Sequence, residues 1–215
     1  CLGVGCGHAA ILEKKLGLES DAPVARTREA LEVLAPLLRG EYVKFAGDYL
    51  RMRVGTPIAG ANPPPLILAA LGPRMIELAG ERADGVTLVF AGAKFVRKHV
   101  RPQLPSDARI VASVPVALTN HAAGIKDLIN EYTAPSMALP PYQRTMDSQG
   151  FESVSQLSIV GGESEVEDGL AELEESGVTD LNPILVSGPP DSSCSERTRA
   201  FLANRARYQR REQGS

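Results

Sequence analysis

Apolar residues recur along this chain in two rhythms, and the alternation between them lays out the elements. Val24, Thr27, Leu31, Leu34 and Leu38 fall at three- and four-residue steps, with Arg26, Arg28, Glu29 and Glu32 between them, which predicts an amphipathic helix over 24–38. Ser20 or Asp21 is read as its N-cap, Pro23 suits its first turn and Gly40 closes it, while Pro36 is expected to shorten or bend its end. Two short alternating stretches flank Ala46-Gly47 and predict a hairpin excursion at about 41–54. Pro57 and Pro63-Pro64-Pro65 then impose an extended lead-in. Residues 66–71 form a continuous apolar run bounded by proline and glycine, as a strand buried on both faces does. From there the reading is helix 73–82, strand 86–90, helix 93–100 ended by Pro102, strand 109–118, and a helical region 122–148 broken at Pro135 and Pro140-Pro141. A short apolar piece at 157–160 precedes an acidic helix, 163–176, capped by Gly177 and read as a solvated face. Strand 179–186 and a basic amphipathic helix, 195–211, follow. The chain opens inside a further strand-like stretch, Leu2-Gly3-Val4-Gly5, with Cys1 rather than Met and no polar lead-in, so an N-terminal part is expected to precede it.

Strand and helix in alternation with short loops mean parallel β and the α/β class. Five strands are counted. A doubly wound sheet fits that count, and so does the C-terminal part of an eight-fold barrel; the pattern does not separate them. Composition narrows the functional classes. The 215 residues are 43% apolar, which excludes general disorder and provides a core without disulfides or a structural metal. A formal charge of −3 gives no basic excess for nucleic acid or an anionic membrane surface, and no apolar run is long enough for a membrane span. Cys1 and Cys6 sit too close to suggest a disulfide framework and Cys194 lies in a distant polar stretch, so a reducing cytoplasm is the expected compartment.

Chemistry concentrates at two strand ends. Gly3-Val4-Gly5-Cys6-Gly7-His8 places glycines where a backbone can approach a flat or anionic ligand; a tight turn packed with glycines is the plain alternative. It lacks the third glycine and downstream acid of a dinucleotide fingerprint. Ala69-Ala70-Leu71-Gly72-Pro73-Arg74-Met75 reads as a strand, a glycine turn and a proline-started helix, whose first amides form an anion site with Arg74 adding charge; an ordinary strand-to-helix turn reads the same way. Of three histidines, His99 and His121 are expected at the surface, whereas His8 stands at the C-terminal end of a strand, where an imidazole exchanges a proton near neutral pH. No metal-ligand spacing, nucleophile elbow or Walker-type loop is present. Residues 130–150 read either as a lid or as a connecting helix pair.

These constellations carry a resemblance. Leu2-Gly3-Val4-Gly5-Cys6-Gly7-His8, Arg26-Thr27-Arg28-Glu29-Ala30-Leu31, Leu37-Leu38-Arg39-Gly40-Glu41, and Pro65 to Met75 with Leu78-Ala79-Gly80 and Ala83-Asp84-Gly85 resemble the luciferase-like monooxygenase superfamily. The resemblance spans nearly the whole chain and is strongest to the actinobacterial-type oxidoreductases using the deazaflavin coenzyme F420. It implies a partial (β/α)8 TIM barrel forming a single domain over 1–215, with residues 1–5 ending strand four, strands five to eight beginning near 66, 86, 109 and 179, and the first three β/α units missing. It implies a cofactor phosphate on Leu71, Gly72 and Pro73, with Ala70 and Arg74 as neighbouring cofactor-binding candidates, a ring near Gly5 and Gly7, and Lys94 as a further phosphate contact. Sugar-phosphate-oxidising members carry a glutamate proton donor at the position of His8, which makes His8 the catalytic candidate. The implied activity is hydride transfer between F420 and a small organic substrate, with homodimers as in other members. The alternatives are an FMN-dependent monooxygenase of the same superfamily, or a truncated, non-catalytic fragment of such an enzyme.

Overall fold

The structure, a computed structural model, describes residues 1–55 and 62–213; the extended lead-in expected at Pro57 lies outside them. The chain divides into two compact units, residues 1–87 with 102–110 and residues 88–101 with 111–215.

In the first unit, β1 (Leu2–Val4) is followed by α1 (Ala9–Leu16), a helix absent from the sequence reading and with none of its residues buried. The predicted amphipathic helix is α2 (Pro23–Leu38), burying Thr27, Leu31 and Val33. Its N-cap is Ala22, at φ 46° with no side-chain cap, rather than Ser20 or Asp21. The Asp21 carboxylate instead receives the Arg26 guanidinium at 2.6 Å, a stronger partner than a backbone amide. Pro36 stays within the helix. The excursion is a two-stranded antiparallel hairpin, β2 (Val43–Ala46) and β3 (Arg51–Val54). The apolar run becomes β4 (Leu66–Ala69), two residues shorter than read, and α3 (Pro73–Arg82) lays Met75, Ile76, Leu78 and Ala79 into the core. β4 pairs in parallel with β1 on one side and with β5 (Gly85–Val89) on the other. The Ala83-Asp84-Gly85 turn has a structural reason: the Asp84 carboxylate accepts the Leu66 amide at 2.7 Å, and its carbonyl accepts the Arg109 amide at 2.9 Å. A Cβ on Gly85 would lie 2.1 Å from the Arg109 carbonyl oxygen, so only glycine fits there.

In the second unit, α4 (Ala93–Phe95) runs into a π-helical turn, Val96–Val100, and then a 3-10 turn, Arg101–Gln103, that contains Pro102. His99 packs on Phe95, ring centroids 5.2 Å apart, and is half-buried rather than at the surface. β6 (Arg109–Leu118) matches the predicted strand. The broken helical region resolves into α5 (Ala122–Met137), with Pro135 inside it, and α6 (Pro140–Gln149). The short apolar piece is a strand that pairs with β6, β7 (Ile159–Gly161), one more than the five strands counted from the sequence. The acidic helix α7 (Glu163–Glu175) and strand β8 (Asp180–Leu185) follow, then α8 (Cys194–Gln213). β6 pairs in parallel with β8 over Val111 to Val116 and with β7 over Val116 to Leu118. Arg205 of α8 binds Glu167 at 2.6 Å and Glu174 at 2.5 Å, so the acidic face of α7 is partly an ion-paired contact rather than wholly solvated.

Candidate functional site

The level of the two candidate loops in the first unit is set by strand register. Val4 of β1 stands opposite Leu68 of β4. His8 and Gly72 each follow four residues later on parallel neighbours, so both loops leave the sheet at its C-terminal end. Gly5 lets the two exits run side by side, because a Cβ there would sit 3.1 Å from that of Ala69. Gly7 turns the chain at φ 70°. His8 then serves as N-cap of α1, its carbonyl accepting the Ile11 and Leu12 amides at 2.9 Å, and its side chain is half-buried.

Across from it, Gly72 is the N-cap of α3, with Pro73 in the first turn and no side-chain cap. Pro73 has no amide hydrogen and the Met75 amide returns to the Gly72 carbonyl at 3.0 Å, so the turn offers a ligand the Gly72 and Arg74 amides. That is fewer donors than the motif suggested. Gly72, Pro73 and Arg74 are exposed, and Leu71 is half-buried. Ala70 is 3% exposed, with its amide on the Thr87 carbonyl, and forms the floor of the turn rather than a surface for contact. At Gly72 the backbone is ordinary (φ −82°) and a Cβ would meet nothing of the protein within 4 Å. No demand of the fold explains glycine there, and a side chain would enter open space.

Other features lie elsewhere. Still in the first unit, a cavity of about 760 Å³ opens beside Pro65, Leu66, Asp84 and Arg109, at the N-terminal strand ends and away from His8 and Gly72. Parallel α/β folds bind their ligands at the opposite end. In the second unit, Lys94 lines a cavity of about 230 Å³ together with Glu165 and Glu172. The turn before it, Phe90-Ala91-Gly92, is held by Gln149, a residue the sequence reading left inside an undifferentiated 130–150 segment. At the C-terminal end of β6, Thr119, His121, Asp191 and Arg197 line a polar cavity of about 480 Å³. There Arg197, and next Thr119, hold the Asp191 carboxyl below its usual range. Cys194 is fully buried beside them, not in the polar setting its neighbours in sequence suggest, and burial pushes its thiol up. Among the described residues no group of three or more His, Cys, Asp or Glu could hold a metal ion, and no helix is long and apolar enough to cross a membrane.

Residues 1–180 match the family model described as luciferase-like monooxygenase. The chain belongs to that family. Among its relatives it is 25% identical over 217 residues to a 5,10-methylenetetrahydromethanopterin reductase from Methanolobus tindarius, an alignment covering 94% of this chain and 64% of the reductase. The chain thus spans a little under two thirds of that relative's length. In fold it is similar to an F420-dependent secondary alcohol dehydrogenase in complex with an F420-acetone adduct, with a TM-score of 0.70, 17% identity, and 92% of this chain and 66% of that one covered. It is also similar to the oxygenating constituent of 3,6-diketocamphane monooxygenase from Pseudomonas putida in complex with FMN, with a TM-score of 0.58, 17% identity, and coverage of 85% and 63%. The parallel α/β architecture of the family member described here is consistent with part of a (β/α)8 barrel.

Proposed function

We propose that this chain is an F420-dependent oxidoreductase that moves a hydride between the deazaflavin and an organic substrate, built as a single barrel-type domain. One observation carries the reading: the glycine turn before Pro73 and the His8 loop leave neighbouring parallel strands at the same end and level. The likeness in fold to an F420-dependent secondary alcohol dehydrogenase in complex with an F420-acetone adduct supports the choice of cofactor. F420 supplies two-electron hydride chemistry when bound.

The residues divide the work by position. The Gly72 and Arg74 amides, with the Arg74 guanidinium, hold the phosphate, and the missing side chain at Gly72 admits it. Gly5 and Gly7 keep the neighbouring loop low enough for a flat ring to approach the backbone. His8, fixed at the head of α1, holds or delivers a proton at its imidazole beside that ring.

An FMN-dependent monooxygenase is the second reading, favoured by the likeness to a monooxygenase in complex with FMN. A phosphate turn serves both cofactors, so a titration must separate them. The chain is titrated with F420 and with FMN, following the fluorescence of each. The expected outcome is saturable F420 binding that Gly72→Asp weakens by roughly tenfold or more, since it puts a carboxylate where a phosphate must sit. Affinity unchanged by Gly72→Asp would place the phosphate elsewhere, and binding of FMN alone would overturn the deazaflavin reading.

A further inference from the structure

Strand register in the first unit lines up one row of residues below the two candidate loops. Gly3 stands opposite Ile67 and Ile67 opposite Gly85; one pleat further along, Ala69 stands opposite Thr87, and a Cβ on Gly5 would lie 3.1 Å from that of Ala69. Residues two apart on a strand share a face, so Gly5, Ala69 and Thr87 form a row across β1, β4 and β5, on the face that also carries Ile67. That face is closed at Ile67, 2% exposed, and open one pleat nearer the C-terminal end, where Gly5 and Ala69 are exposed and Thr87 is half-buried. The other face of the same strands carries Leu66, Leu68 and Val86, none more than 4% exposed. His8 and Gly72 come three residues beyond Gly5 and Ala69, so the open row lies at the foot of both loops and within the same unit.

Gly5 and Ala69 offer a ligand only a smooth surface, which suits a flat ring. Thr87 adds a hydroxyl. Its backbone carbonyl is taken by the Ala70 amide at 3.2 Å, but among the described residues nothing bonds the hydroxyl, and it is not sealed from solvent. Strand formation does not ask for that group, since valine has the same shape and serves a strand as well, and the buried neighbour Val86 is aliphatic. The β-branched stem restricts the hydroxyl's rotation, so it is presented with little freedom left to lose on binding.

We propose that Thr87 sets the orientation of the bound ring: with the flat ring laid on Gly5 and Ala69, its hydroxyl donates to a carbonyl oxygen at the ring edge, while the Gly72 turn holds the phosphate. The inference rests on the F420 reading above and deepens it. A turn that grips only a phosphate leaves the ring free to pivot about the chain that joins them. A second polar point removes that freedom and fixes which atoms of the ring face the substrate.

Thr87→Val removes the hydroxyl and keeps the shape, whereas Thr87→Ser keeps the hydroxyl and removes the methyl group. F420 affinity by fluorescence titration, the absorption spectrum of the bound deazaflavin and thermal unfolding are compared with the parent. The expected result is a folded Thr87→Val chain that binds F420 roughly three- to tenfold more weakly and shifts the absorption band of the bound ring, with Thr87→Ser close to the parent in both. Thr87→Val with the parent's affinity and band position would overturn the inference. So would Thr87→Ser losing as much affinity as Thr87→Val, since the methyl group would then be what matters. Either outcome leaves the functional reading standing as long as Gly72→Asp weakens binding. Failure of the parent chain to bind F420 sinks that reading and this inference with it, and shows before any variant is made.

Discussion

Glu29 shows how much one side chain organises in this fold. Its carboxylate accepts the amides of Asp48 at 2.7 Å, Tyr49 at 2.9 Å and Leu50 at 2.7 Å, closing the tip of the β2–β3 hairpin. Gly47 leaves room for it, since a Cβ there would push the carboxylate aside. Partial desolvation pushes the Glu29 carboxyl up, but the amides of Leu50, Tyr49 and Asp48, with Arg26, outweigh it and hold it below the usual range. A carboxyl depressed in the fold favours the fold above its unfolded value, about 4.3, and loses that contribution as pH falls through the lower folded value. Glu29→Gln is therefore expected to melt earlier than the parent at pH 7, with the gap closing in acid, as scanning calorimetry across pH would show. Equal melting at pH 7 would mean that the three amides gain nothing from the charge. Sequence reading placed Glu29 among the polar residues of a helix and found the hairpin separately; a bond spanning some 20 residues has no local pattern. Gly85 makes a sharper case. Gly85→Ala would drive a methyl group into the Arg109 carbonyl, with no flexible side chain to yield, and should cost about 3 kcal/mol or prevent folding, measured by urea unfolding.

Between elements, magnitude decides which contacts fasten α8. Arg205 reaches Glu167 and Glu174 of α7, but these acids are about half exposed and such pairs contribute at most about 1 kcal/mol after screening. Thr198 is fully buried, and its hydroxyl accepts the Leu118 amide at the end of β6 at 2.8 Å while donating to the Cys194 carbonyl at 2.8 Å. Thr198→Val leaves the Leu118 amide without that acceptor, at a cost of about 1–3 kcal/mol. Denaturant unfolding is expected to show Thr198→Val losing more stability than Arg205→Ala; the reverse order would mean that α8 is held by charge. The basic character of 195–211 and the acidic character of 163–176 were plain in the sequence, but which of their charges meet was not, because helix faces are matched only by packing. The same holds for β7, whose three residues are too few to carry a period.

For the molecule as a whole, a ligand that binds only the folded chain raises its stability by mass action, by about 2.7 kcal/mol at a hundred times its dissociation constant. F420 at that excess should raise the melting temperature of the parent by several degrees and that of Gly72→Asp by much less; no shift for the parent would remove the cofactor assignment. The alternation of two hydrophobic periods by itself determined the α/β class, the order of nearly all the elements and the two glycine-marked strand ends, because burial on one face or on both writes itself locally into residue type. The sequence motifs also carried the family, which the match over residues 1–180 bears out. Only the tertiary structure decided that His8 and Gly72 stand level on neighbouring strands, that Asp84 fastens the opposite strand ends, and that Gln149 locks the turn after β5. Strand register and contacts between residues far apart in the chain depend on which backbone groups remain to be paired once the core has closed, and no local stretch of residues encodes that.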